Sequence, residues 1–142
     1  MNAKEYLSQA MYIDQRIESK LEQIMKLRES ATKATATLSD MPRPDSPNVQ
    51  SMEETIVKIV DLEREINRDI DALVDLKAEA RKVISKLDNP EQQLILEMRY
   101  LCYKSWAEIA EDLSFSESNV YKIHGEALKR IVLPETAHLL TT

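Results

Sequence analysis

Residues 116–122 place two serines, an asparagine, a tyrosine and a lysine within seven positions: Ser116, Ser118, Asn119, Tyr121 and Lys122. The interleaved Val120, Ile123, Ala127, Leu128 and Ile131 recur at helical spacing and predict a buried stripe, which leaves the polar set on the opposite side. Those groups suit nucleic-acid recognition. Hydroxyls and the free N–H groups of a first helical turn can hold phosphate. Asparagine can pair bidentately with adenine, and lysine can reach guanine or a phosphate. Tyrosine can stack on a sugar or bond a phosphate. Upstream, Arg99 and Lys104 stand where they could touch a duplex backbone. Ser116 also has the sequence position of an N-cap, and that role is predicted for it first.

Catalysis has no comparable set. A single glycine leaves no phosphate-cradling loop and no dinucleotide fingerprint. No Ser/His/Asp arrangement and no E-x-x-H motif occurs. His124 and His138 lie fourteen positions apart without a cysteine pair, so no metal site and no cofactor is expected. The chain does not read as an enzyme.

The polar set must be held by its neighbours, and segment 105–131 reads as a helix-turn-helix. Ser105 and Glu108 form an S-x-x-E capping box that starts the first helix. Ile109, Ala110 and Leu113 give it an apolar face, and Trp106 reads as a core anchor. Ser114-Phe115 supplies the turn. A serine stands where glycine is usual, so the left-handed conformation there carries a cost. Before this pair, Asn89 and Pro90 mark an N-cap and first helical residue. They open a helix over 91–103 with Leu94, Ile95, Met98 and Leu101 inward. Pro134 ends the last helix, and 134–142 reads as a tail.

The motifs L-x-x-R-Y (Leu96 to Tyr100), S-W-x-E-I-A (from Ser105) and the Ser116/Ser118/Val120 pattern leading to Ala127-Leu128 resemble the fourth conserved region of sigma-70-type factors. With the long upstream helices and the phrase Leu38-Ser39-Asp40-Met41-Pro42-Arg43, the chain is similar to small sigma-like proteins from phages and prophages of Gram-positive bacteria. These in turn resemble late-transcription regulators of the ArpU/RinA type. The resemblance covers about a third of the chain. It implies promoter DNA as a partner, and host RNA polymerase as a possible second one.

Upstream, residues 3–38 contain no proline or glycine and predict one long helix, with Leu7, Ala10, Ile17, Leu21, Ile24, Ala31 and Leu38 along its seam. Three prolines within 40–51 make a connector. A second S-x-x-E, at Ser51, predicts the start of a helix over 52–87. Met52, Ile56, Ile59, Ile66, Ile70, Leu73, Ala80, Ile84 and Leu87 follow a heptad seam there. One such helix cannot bury its stripe on itself. The expected fold is therefore all-α: a long antiparallel helical hairpin (1–87) followed by a C-terminal three-helix helix-turn-helix module (88–133). A two-helix hairpin has little core, so a homo-oligomer built as a four-helix bundle is expected.

Charge limits the DNA reading. The formal net charge is −6, and residues 88–142 hold five basic against nine acidic side chains. Neutralising phosphates supplies much of the affinity for DNA, so one copy of this module should bind weakly without a second copy or polymerase. Two rivals follow: a small terminase-like DNA-packaging subunit, and a protein-interaction adaptor that does not touch DNA. No apolar run is long enough to span a membrane. One cysteine, Cys102, excludes an internal disulfide, and a cytoplasmic location is expected.

Overall fold

The computed structural model describes residues 1–38 and 47–135, with side chains for 1–33 and 50–135. Most of the expected connector, the Met41-Pro42-Arg43 phrase and most of the tail with His138 lie outside the described residues. Among those described, every regular element is helical: α1 (Ala3–Leu38), α2 (Pro47–Ser85), α3 (Pro90–Leu96), a π-helical turn (Glu97–Leu101), α4 (Trp106–Leu113) and α5 (Glu117–Arg130).

The two long helices start differently from each other. At α1, the Asn2 side chain accepts the Glu5 N–H at 2.8 Å and the Glu5 carboxylate accepts the Asn2 N–H at 3.1 Å, a reciprocal cap. At α2 the S-x-x-E at Ser51 is not used, because the helix already begins at Pro47. Proline is permitted at a first helical position, where its missing N–H has no intrahelical partner anyway. Ser51 then lies inside the helix, and its carbonyl accepts the Thr55 hydroxyl at 2.8 Å.

The chain divides into two compact units, Asp14–Ala72 and Met1–Ile13 with Leu73–Thr142. In the first, Ile17, Ile24 and Ile66 are buried, with Leu27, Ile59 and Leu62 half-buried around them. Lys20 pairs with Asp69 at 2.6 Å and with Glu65 at 3.6 Å, while Arg28 pairs with Glu63 at 3.1 Å. Going up α1 thus means going down α2. Three residues assigned to the seams from sequence lie outside them: Leu21, Ile56 and Ile70 are 51%, 52% and 41% exposed. A seam needs one inward residue per three- or four-residue step, and the half-buried Lys20, Thr55 and Asp69 take those steps instead.

The second unit holds two apolar clusters. One joins Tyr6 and Leu7 of α1, Ala80, Val83, Ile84 and Leu87 at the end of α2, and Leu96, Tyr100 and Ala127. The other joins Ile95, Met98, Ile109, Ala110 and Val120, with Trp106, Leu113, Phe115 and Ile123 against it. The single helix expected over 91–103 is α3 followed by the π turn. There the Cys102 N–H bonds the Glu97 carbonyl at 3.0 Å, the Lys104 N–H bonds the Met98 carbonyl at 3.0 Å, and Tyr103 is left-handed at φ 59°. In a regular α-helix, residues 98 and 100 would point about 200° apart. The two are accordingly buried on opposite sides, Met98 in the second cluster and Tyr100 in the first. Leu94, expected inward, is 42% exposed, and Leu96 is the buried residue.

Candidate nucleic-acid interface

Local hydrogen bonds set α4 and α5. Ser105 caps α4 by accepting the Glu108 N–H at 3.2 Å, and Ser116 caps α5 by accepting the Asn119 N–H at 3.1 Å. Between them, Ser114 adopts the left-handed conformation at φ 57°, ψ 38°. Its N–H reaches the carbonyls of Ala110 and Glu111, and the Phe115 N–H bonds the Ala110 carbonyl at 2.9 Å. That pattern closes the C-terminal end of α4 with a Schellman-type turn. The serine does what glycine would do there at lower cost.

The turn and caps aim α5. Val120, His124 and Ala127 are buried, whereas Ser116, Ser118, Asn119, Tyr121 and Lys122 are exposed together over its first two turns. Tyr121 is 48% exposed, and its ring lies 4.9 Å from that of Trp106. A large aromatic is thereby held at the surface beside Lys122. Glu117 opens the helix, a favourable place for a carboxylate at the positive end of the helix dipole.

Arg99 and Lys104 are engaged within the chain. Arg99 Nη1 donates to the Lys104 carbonyl at 3.0 Å, and the guanidinium lies over the Trp106 ring at 4.4 Å. These contacts tie the π turn to the start of α4. Lys104 pairs with Asp112 at 2.6 Å, and that hydrogen bond holds its pKa above the ordinary lysine value. Both cations are thus engaged with residues of α4.

Sequence reasoning did not single out the group beneath this surface. His124 is buried; its Nε2 lies 2.6 Å from the Tyr100 hydroxyl, and its ring centroid lies 4.6 Å from that of Trp106. Burial, then the positive charges of Lys4 and Arg99, lower its pKa to about 4, so the ring is neutral at pH 7. Burial also raises the pKa of Tyr100. The signal for His124 was its place beside Val120, Ile123 and Ala127 on the apolar stripe, since a histidine there must be paired internally. Trp106, expected as a core anchor, joins this group from the first residue of α4.

Among the described residues, no three His, Cys, Asp or Glu side chains gather to hold a metal ion. No described helix is long and apolar enough to cross a membrane. Compared with known proteins, the chain matches a family model described as "Protein of unknown function (DUF1492)" over residues 47–132, from the start of α2 to just past α5. No curated protein and no solved structure matches it.

Proposed function

From a chain that belongs to the DUF1492 family of proteins of unknown function, we propose a DNA-binding transcription regulator of the phage or prophage type. In this reading residues 1–87 are a helical hairpin and 88–133 a three-helix module like sigma region 4. α4 and α5 form its helix-turn-helix, which acts on promoter DNA as an oligomer or together with RNA polymerase. The supporting observation is the left-handed Ser114 turn between two serine caps, which leaves Ser118, Asn119, Tyr121 and Lys122 exposed on one stretch of α5. α5 enters the major groove by its N-terminal half. Asn119 reads adenine, Lys122 reaches guanine or phosphate, and the hydroxyls of Ser116 and Ser118 meet the backbone. Arg99 and Lys104 position α4 through Trp106 and Asp112 more than they bind phosphate.

The chain's acidity makes help necessary. With a formal charge of −6 and Lys122 as the cation among these groups, one copy supplies few phosphate contacts. The test is fluorescence anisotropy on phage promoter fragments over a salt series, with and without RNA polymerase. Lys122→Ala should lower the salt slope by about one, and Asn119→Ala should relax preference at one base by about 1–3 kcal/mol. If both variants match the parent in affinity, salt slope and preference, α5 does not read DNA.

A protein-binding adaptor is the second reading, favoured by the engagement of Arg99 and Lys104 within the chain. It predicts polymerase binding with no salt-dependent DNA affinity. The packaging-subunit rival predicts a ring of about eight or more copies, which a mass measurement separates from a regulator dimer.

A further inference from the structure

Gly125 is the chain's one glycine, and it lies inside α5. Glycine within a helix is less stable there than alanine, because it gives up more conformational freedom on folding. Nothing in the described fold calls for one at this place. Gly125 does not have a positive φ, so the helix makes no use of its conformational range. Among the described residues, a Cβ placed on Gly125 meets nothing within 4 Å beyond its chain neighbours and the backbone of its own helix. The position is therefore a gap on the outside of α5 and not a packing contact.

The gap belongs to a stripe. At about 100° per residue, Ser118, Lys122, Gly125 and Lys129 fall within about 60° of one another, on the side of α5 opposite the buried Val120 and Ala127. Ser118, Lys122 and Lys129 are exposed. The order along the stripe is hydroxyl, cation, bare backbone, cation, with the two lysines about 10 Å apart along the axis. The acids of this helix, Glu117 and Glu126, lie to either side, about 80–100° round from Gly125. A protein helix seated on the gap would need apolar side chains around it to interlock with, and the stripe offers a hydroxyl and two ammonium groups instead. A polyanionic strand suits both features.

We infer that one strand of a DNA duplex crosses α5 at Gly125, its sugar–phosphate in van der Waals contact with bare helix backbone, while Lys122 and Lys129 hold phosphates on either side. This rests on the DNA reading of α5 and adds the depth and angle of docking. The part of the helix before Gly125 lies within the groove, and the part beyond it lies outside. A methyl group at 125 would stabilise the helix and lift it off the strand.

Thermal melting and anisotropy on phage promoter fragments, with and without RNA polymerase, are measured for the full parent chain and its variants. Gly125→Ala should raise Tm by about 4 °C. It should also weaken DNA binding about tenfold, the effect of one overpacked methyl. Gly125→Gln should weaken it further with helical circular dichroism unchanged. Lys129→Ala should lower the salt slope by about one, which a role confined to the helix end would not do. A lower Tm for Gly125→Ala would mean that the fold itself needs the glycine and would overturn the inference. Parent-like affinity in both glycine variants, or a parent-like salt slope in Lys129→Ala, would overturn it too. If Asn119→Ala and Lys122→Ala then still bind more weakly, the DNA reading stands without it. Loss of polymerase binding alone in Gly125→Ala would give the gap to a protein partner, again overturning it. A parent chain with no DNA affinity under either condition overturns both.

Discussion

Replacing His124 with glutamine should remove about 2 kcal/mol of acid sensitivity between pH 7.5 and pH 5. In the folded chain this ring titrates near 4, against 6.5 for an ordinary histidine, because it is buried and lies near Lys4 and Arg99. A lowered folded pKa means that, as pH falls below about 6.5, the unfolded chain takes up a proton that the folded chain refuses. Stability is full above 6.5, falls through the window and levels off below about 4. At about 1.4 kcal/mol per pH unit, the whole window is worth roughly 3 kcal/mol, and the part between pH 7.5 and 5 about 2 kcal/mol. With 8% of the residue exposed, solvent screening reduces this little. His124→Gln keeps a neutral amide facing the Tyr100 hydroxyl, 2.6 Å from Nε2 in the parent, but cannot be protonated. Urea unfolding of parent and variant at pH 7.5, 6.5, 5.8 and 5 measures the effect. The variant should start less stable at pH 7.5 and converge on the parent as pH falls. Parallel losses in the two chains would refute the assignment, since His138 and the carboxylates are common to both.

Two further substitutions address the geometry around this group. Ser114→Gly should raise thermal stability by about 0.5–1 kcal/mol, because relief of the left-handed strain exceeds glycine's extra chain entropy; a lower melting temperature would contradict the strain at φ 57°. Arg99→Lys should cost about 2 kcal/mol in denaturant unfolding, since lysine replaces neither the planar stack on Trp106 nor the fixed fork that bonds the Lys104 carbonyl. A neutral result would mean that Arg99 is a solvated surface charge.

What the sequence made legible is what depends on neighbouring residues. The caps at Ser105, Ser116 and Asn89 and the left-handed Ser114 each follow from a few adjacent side chains, and each is found where expected. The features it concealed depend on distant partners. Whether Lys104 is available to a phosphate turns on Asp112, and the role of Arg99 turns on the ring of Trp106. The π turn after Leu96 is likewise announced by no local preference, although Met98 and Tyr100 within it enter different clusters. Leu21, Ile56 and Ile70 fit a heptad count but lie beside the paired faces, where the neighbouring Lys20, Thr55 and Asp69 turn inward. Pro47, one of the three connector prolines, is the permitted first residue of α2.

α5 is seated in both apolar clusters at once, through Val120 in one and Ala127 in the other, and the π turn feeds the same two through Met98 and Tyr100. It cannot rock against one cluster without working loose from the other. Trp106 stands at that junction, 4.9 Å from the Tyr121 ring and 4.6 Å from the His124 ring, both on α5. It is also the chain's one tryptophan. The protein therefore carries its own optical gauge: a shift in indole emission when a ligand arrives would report the tilt of α5 directly, without any label.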